Sequence, residues 1–347
     1  MNKKLDYIIV GQGLAGTFFA FHLLKQKKQF IVVDQGLKNS SSMIAAGIIN
    51  PLVLKRLTLT WRADEFLTYN CLFFEELEQF LDKKYLFKTP INKLVSSEEE
   101  EKFWEHRFEK ASLGQYIDKE LKRPPTDVPL SGRFKLGRVK QTSWLNISEL
   151  LTDFRNTLKQ KGLLVDKLFD YNAIDQNQIY ENYPFERIVF CEGSKAIENP
   201  FFKHLPFSLN KGQLLTINAE KLKLNSILKK QVFVLPLESK RFKVGATYSW
   251  KWENEKPEEE KTKTLKTQLN KMLDVSFKIV ENVAGVRPAV KDRRPLIGQH
   301  KHHKNYFIFN GMGSRGCFMA PLLAKELLNH IEHNKPLHKE VEIDRFD

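Results

Sequence analysis

Two glycine turns stand near opposite ends of this 347-residue chain. The first, Gly11-Gln12-Gly13-Leu14-Ala15-Gly16, has the spacing G-x-G-x-x-G. In that pattern Gly11 permits a tight turn, Gly13 lets backbone approach a pyrophosphate, and Gly16 lets a helix pack closely on a strand. A helix opening at Leu14 and Ala15 offers N–H donors and a partial positive charge to phosphate. Asp34 closes the next apolar run. An acid there takes the hydroxyl pair of an adenosine ribose that lacks a 2′-phosphate, with Gln35 beside it. The second turn, Gly311-Met312-Gly313-Ser314-Arg315-Gly316, also precedes a helical pattern. Between the two lies "VFCEGSKA", an apolar run ending at Gly193. Glycine sites this far apart imply a large ligand gripped by distant segments, and a flavin dinucleotide meets that need.

These residues require elements to position them. Leu5–Val10 and Phe30–Val33 are continuous apolar runs, as in strands buried on both faces, and Leu14–Leu24 between them has helical spacing. Together they make one βαβ unit. "SSMIAAGIINPL" has small residues and no clear period. Helical spacing returns over Asp64–Leu81, at Phe66, Tyr69, Phe73, Leu77 and Phe80. Residues 97–130 are charged, then proline-rich, and are expected to form a surface excursion. "TSWLNISELLTDFRNTLKQKG" predicts a helix capped by Asn146 or Ser148, with a strand in "LLVDKLF" after it. "GQLLTI", "VFVLPLE" and "RFKVGATY" alternate as in an antiparallel sheet. "WENEKPEEEKTKT" is expected as a charged loop before a helix running to about Leu273. Strand–turn–helix units at both ends, interrupted by antiparallel strands, point to a discontinuous α/β domain with an inserted α+β domain.

Composition narrows the class. A length of 347 residues suggests two domains, and 41% apolar content supports a sizeable core. No apolar run approaches the roughly 18 residues of a membrane span, and the short "YIIV" run ends in a glycine turn rather than a cleavage site. A soluble, cytoplasmic protein is expected, with no membrane partner. Cys71, Cys191 and Cys317 form no CxxC pair and are expected as packed thiols. Adjacent His302 and His303 in "HKHHK" have no nearby cysteine or carboxylate, so this stretch is expected as a solvated basic loop and no metal site is assigned. The net charge of +14 fits an anionic partner, although lysines such as those of "LKKQ" and "KTKTLK" are expected to be solvated surface.

Taken in order, the segments resemble the FAD-dependent D-amino acid oxidase superfamily, which includes glycine oxidase and sarcosine oxidase. The resemblance rests on the first turn with Asp34, then "SSMIAAGIINP", "VFCEGSKA", "LNKGQLLTI", "AGVRPAVKDRRPLIG" and "NGMGSRGCFMAPLLAKELL". The second half is most similar to the oxidase domain of the bifunctional tRNA 5-methylaminomethyl-2-thiouridine biosynthesis protein, through "GATY", "GVR" with "KDRRPLIG", and "GSRG…AP". The methyltransferase domain fused to it in that family has no counterpart in these residues.

The resemblance implies a Rossmann-like FAD-binding domain from residues 1–85, 140–205 and 285–347. Residues 86–139 and 206–284 would form an antiparallel-sheet α+β substrate domain. Met43, Ala45, Ala46 and Gly47 would pass beside the flavin. Gly313, Ser314, Arg315 and Gly316 would point at its pyrimidine end, where positive potential stabilises the reduced anion. Arg287 matches the arginine that binds substrate carboxylate. Its alternative role is structural, pairing with Asp292 or a backbone carbonyl. Phe233 stands where the family has a tyrosine, and Tyr248 could lie near the pocket. Lys291–Arg294 could form a basic rim at its mouth. FAD would be noncovalent, because the segment that carries the linking cysteine in sarcosine oxidases has none here. The cofactor does the hard step, so no protein acid or base is obligatory and no catalytic residue is named.

Three functions follow. The first is FAD-dependent oxidation of a C–N bond of an amino acid or secondary amine, by hydride transfer to flavin N5. The second is removal of a carboxymethyl group from a tRNA wobble uridine. The third is a non-catalytic flavoprotein subunit. None of them specifies the electron acceptor or the oligomeric state.

Overall fold

The computed structural model describes residues 3–36, 40–110 and 113–346. Its main elements in the first half are β1 (Leu5–Val10), α1 (Leu14–Lys25), β2 (Phe30–Val33), α2 (Ser41–Ile44), α3 (Ala63–Leu81), β3 (Ile91–Val95), α4 (Glu98–Glu109), β4 (Lys135–Val139) and α5 (Ile147–Gln160). Then come β5 (Leu164–Val165), β6 (Tyr183–Phe190), β7 (Asn210–Asn218), β8 (Ile227–Lys229), β9 (Phe233–Pro236), β10 (Arg241–Gly245), α6 (Glu259–Asn270), β11 (Lys278–Arg287), β12 (Leu296–Gln299), β13 (Tyr306–Asn310) and α7 (Gly316–His333).

The first sheet has the order β5-β2-β1-β6-β13-β12. All neighbours are parallel except the edge strand β12 and a short seventh strand, Ile179–Tyr180, that pairs antiparallel with β6. Helices α1, α3, α5 and α7 bury Phe18, Phe66, Phe154 and Leu323 on one side. Phe169, Tyr180, Phe190 and Phe202 fill the other. Burial on both faces is why β2, β13 and the ends of β1 and β6, Tyr7–Val10 and Ile188–Phe190, are apolar without alternation. From β1 the chain moves to β2 on one side and later to β6 on the other, so the carboxyl end of β1 is a topological switch point.

The second sheet has the order β11-β7-β10-β9-β8-β3-β4. It is antiparallel except for β8 against β3, a parallel pair that the alternating segments did not suggest. A parallel pair needs a long crossover, and the more than 130 residues between β3 and β8 supply one. One face packs on α6 through Leu265 and Leu269. The other approaches α2: a Cβ on Gly285 would lie 3.0 Å from Ile44 Cδ1 and 3.3 Å from Ser41 Cα. The protein is therefore α/β, with a Rossmann-like sheet and a second, mainly antiparallel sheet inserted into it.

Several local expectations change. Residues 97–130 are not simply a surface excursion, because α4 buries Trp104 completely. The indole lies over Gly137 of β4, where a Cβ would come within 2.6 Å of the ring, and it donates from Nε1 to the Asp118 carbonyl at 2.9 Å. One buried aromatic outweighs the charge of the helix around it. Part of "WENEKPEEEKTKT" opens α6 at Glu259. Asn146 precedes α5, but its amide donates to Glu149 at 2.6 Å instead of capping the backbone. "SSMIAAGIINPL" yields α2 and two short strands, Ile48–Ile49 and Leu52–Val53. Among the described residues no helix is long and apolar enough to cross a membrane.

The α1 helix sits against the β1 turn at backbone distance. A Cβ on Gly16 would lie 1.9 Å from the Gly11 carbonyl oxygen. Gly16→Ala must therefore displace backbone, and is expected to destabilise the protein by about 1–3 kcal/mol, the usual range for overpacking. The urea midpoint of ligand-free protein, followed by tryptophan fluorescence, checks this. An unchanged midpoint would mean that α1 and the turn are not in this contact.

Candidate active site

A cavity of about 720 Å³ is lined by residues of both sheets. That is within the roughly 300–1,000 Å³ of small-molecule sites.

At the Rossmann end it meets Gly11, Gly13, Leu14 and Ala15. Gly11 has φ +97°, and a Cβ there would come within 2.6 Å of the Cys191 carbonyl oxygen. Gly13 differs: its nearest neighbour for a Cβ is the Ser42 hydroxyl at 3.1 Å, and the rest of that space is open. Leu14 N–H donates to Ser42 Oγ at 3.2 Å. The other first-turn amides of α1 have no helical acceptor. Gly16 lies outside the lining, against the turn.

Asp34 lines the cavity but is already well bonded. Its Oδ1 accepts from Gly36 N–H at 2.8 Å and from Arg155 Nη1 at 2.7 Å, and its Oδ2 accepts from Gln12 N–H at 2.9 Å. A carboxylate has about four acceptor positions, so one remains, on Oδ2. That is capacity for one ribose hydroxyl rather than for the expected pair. Arg155 also donates to Gln12 Oε1 at 2.9 Å and to Asp166 at 2.7 Å, joining α5, the glycine turn and β2. Gln35, Ala45, Ala46 and Gly47 also line the cavity. Met43 does not; it packs against the hydrophobic core shared by α1, α3, α5 and α7.

Gly193 lines the cavity with φ +60°, and its carbonyl accepts from Asn310 Nδ2 at 2.9 Å. Beside it, burial pushes the Glu192 carboxyl up, while Tyr171 and Asn199 donate to it. In the second turn Gly313 has φ +56°, and its N–H donates to the Pro288 carbonyl at 3.0 Å. That amide therefore ties the turn to the end of β11. Ser314, Gly316 and Cys317, at the start of α7, face the cavity. Arg315 also lines it, with Nη1 donating to the Asn50 carbonyl at 3.0 Å. Burial lowers its guanidinium pKa and pushes the Cys317 thiol up to about 12, leaving that thiol neutral.

The other end belongs to the second sheet. Arg287 closes β11 and lines the cavity. Its Nη1 donates to Asn210 Oδ1 at 2.8 Å and makes a longer contact with the Thr247 carbonyl at 3.4 Å. The guanidinium carbon lies 4.5 Å from the Tyr248 ring centroid. Gly212 makes room for it, since a Cβ there would sit 1.9 Å from Nη2. Asp292 is not its partner; that carboxylate accepts from Arg345 at 2.8 Å. Among the described residues no acid pairs with Arg287, and burial lowers its pKa. Tyr248 and Phe233 line the same end. Lys291–Arg294 do not: Arg294 pairs with Glu340 at 2.7 Å, away from the lining.

Sequence reasoning missed Arg155, Asn310, Gly212 and Lys229. Arg155 had a signal, because it falls on the helical stripe of Leu150, Leu151, Phe154 and Leu158. Lys229, expected as solvated surface, is half-buried in the cavity wall.

A family model described as FAD dependent oxidoreductase matches residues 6–329. Uncharacterized oxidoreductase YurR of Bacillus subtilis (strain 168) is 22% identical over 370 residues, covering 98% of this chain and 96% of that protein. Glycine oxidase from Geobacillus kaustophilus superposes with a TM-score of 0.81 at 17% identity, covering 97% of this chain and 96% of its own. L-proline dehydrogenase from P. horikoshii gives 0.79 at 16% identity, covering 100% and 98%. At these identities the structural likeness shows the fold.

The open space at Gly13, the free amides at the start of α1 and the remaining acceptor of Asp34 suit a dinucleotide. Gly13→Val places two methyl groups in that space. Losing about 1–3 kcal/mol to the clash corresponds to a roughly ten- to hundredfold rise in the Kd for FAD. Titration of apoprotein with FAD measures it. An unchanged Kd would place the pyrophosphate elsewhere.

Proposed function

Because the chain belongs to the FAD dependent oxidoreductase family, we propose that it oxidises a C–N bond of an amino acid or secondary amine whose carboxylate is held by Arg287. The protein is an FAD-dependent oxidoreductase. When bound, FAD supplies the two-electron acceptor, taking hydride at flavin N5. The start of α1, with Asp34, would hold the dinucleotide half. Residues 45–47 and the start of α7 would flank the flavin.

Arg287 is the observation that carries the reading. It is a half-buried cation in the cavity wall with no acidic partner among the described residues. Leaving such a charge buried is unfavourable unless a ligand neutralises it. Both protein contacts fall on Nη1, so Nε and Nη2 remain for a carboxylate. Asn210 and the Tyr248 ring orient the fork before a ligand arrives, which suits paired donation to two oxygens. The substrate carbon then loses hydride and its nitrogen loses a proton, forming C=N. Water adds to that carbon and the amine leaves. Phe233 offers an apolar wall without a hydroxyl.

A second reading, action on a modified tRNA base, has one observation in its favour. Tyr248 is 53% and Trp250 68% exposed, and their rings stack at 6.5 Å beside the cavity. Exposed aromatic faces are where single-stranded bases stack. Salt-sensitive tRNA binding that falls in Trp250→Ala would support it.

Two outcomes are expected. Heat- or acid-denatured protein releases intact FAD into the supernatant; flavin that stays with the precipitate would contradict noncovalent binding. Arg287→Ala retains FAD but weakens a carboxylate ligand about ten- to hundredfold, from a charge-assisted hydrogen bond of roughly 1.5–3 kcal/mol. Arg287→Lys recovers only part of this, because an ammonium lacks the fork. Flavin spectral shifts measure the affinity. If it does not change in Arg287→Ala, Arg287 has no carboxylate role and is a structural residue.

A further inference from the structure

We propose that Lys229 is a second anion site in the same cavity, so that the substrate carries two acidic groups, one at Arg287 and one at Lys229. The proposal rests on the carboxylate role of Arg287. The substrate class it names is an amino acid whose side chain or N-substituent ends in a further acid.

The register of the second sheet places Lys229 on the cavity face. Lys229 pairs with Phe233, Phe233 with Gly245, and Gly245 with Leu214. Directly paired residues share a face, and Lys229, Phe233 and Leu214 all line the cavity. Ile227, two residues before Lys229 on β8, faces the same way and lines it too. Lys93 pairs with Lys229 in register but sets its ammonium over the Phe103 ring, at 5.8 Å. Lys229 is therefore the cation that this row presents to the cavity.

Its ammonium is poorly matched by protein. The one hydrogen bond found goes to the Gln231 carbonyl at 2.8 Å, and an ammonium has three donors. Among the described residues no carboxylate pairs with it. The acids of the lining are Asp34, Glu192 and Glu255. Asp34 is held by Arg155 and Glu192 by Tyr171 and Asn199. Burial alone pushes the Lys229 pKa down to about 8, which still leaves it cationic at neutral pH.

Spacing sets the shape of the ligand. Arg287 is on β11 and Lys229 on β8, four strand steps apart in the sheet. At about 4.8 Å per step, and with Arg287 four residues along β11 from Val283, the residue of that strand in the Lys229 row, their backbones are separated by roughly 23 Å. Both side chains reach inward and shorten the gap between the charged heads. A compact amino acid such as glycine or proline still cannot touch both. An extended dicarboxylate can, with Ile91, Ile227 and Phe233 against its methylenes.

The test uses flavin-loaded protein and equilibrium titration by flavin spectral shift. The probes are the α,ω-dicarboxylates from succinate to pimelate and the monocarboxylates of equal carbon number. In the parent, the longer dicarboxylates should bind more tightly than their monocarboxylate counterparts. Lys229→Met should weaken the longer dicarboxylates about ten- to hundredfold more than the matched monocarboxylates. Lys229→Arg, which keeps the charge, should retain the preference. Arg287→Ala should weaken both series. If monocarboxylates bind in an Arg287-dependent way but dicarboxylates have no advantage, the second site is wrong and the carboxylate reading stands. If Lys229→Met weakens both series equally, Lys229 acts on the fold and the proposal is overturned. If neither series binds, both readings fall.

Discussion

The contact between Gly16 and the Gly11 carbonyl is the constraint on which the site depends. At 1.9 Å from a would-be Cβ, no side chain fits there. The helix can therefore start directly above the end of β1, with its unpaired amides and positive end at the switch point of the sheet. Gly11 needs φ +97° for the same turn and passes close to the Cys191 carbonyl at the end of β6. Strand, helix and neighbouring strand converge on one spot. Arg155 then ties that spot together from α5, bonding Gln12, Asp34 and Asp166. A buried guanidinium shared between two carboxylates is a satisfied charge, and it holds the acidic side chain in one orientation.

The second sheet follows the same rule with a different result. Its inner face is cleared by glycine at three places. Gly285 lets α2 lie on it, Gly245 accommodates Leu214, and Gly212 leaves space for the Arg287 guanidinium. Clearing the face brings the two halves of the molecule together around the cavity. It also leaves half-buried cations without acids. Arg155 is neutralised, whereas Arg287, Arg315 and Lys229 have only carbonyl and amide oxygens as hydrogen-bond acceptors among the described residues. Proteins break the rule of paired buried charge mainly at functional sites. Here the break falls where an anionic substrate would enter a family whose cofactor accepts hydride.

Much of this was legible in the chain. The apolar runs at Leu5–Val10 and Phe30–Val33, the helical spacing after Leu14 and the glycine turns are local patterns, and each marks an element that formed. Trp104 and the parallel pairing of β3 with β8 were not legible. Charge around a single aromatic hides a buried helix, and strand direction depends on a crossover from a remote segment. Arg155 was partly legible, since it falls on the apolar stripe of its own helix. Lys229 in "LKKQ" looked like every other surface lysine.

By itself the sequence determined the fold class and the glycine turns that meet at one end of the cavity, whereas Arg287 was singled out only by the family resemblance. The fold class and the turns follow from periodicity and from where glycine permits close backbone approach, both properties of short stretches. Tertiary structure alone decided which charges are answered. Asp34 is bonded by Arg155, 121 residues away, and keeps a single acceptor free. Asp292 goes to Arg345, and Arg287 is left without an acid. Whether a cation meets a carboxylate, a carbonyl or open cavity depends on which distant segments pack beside it.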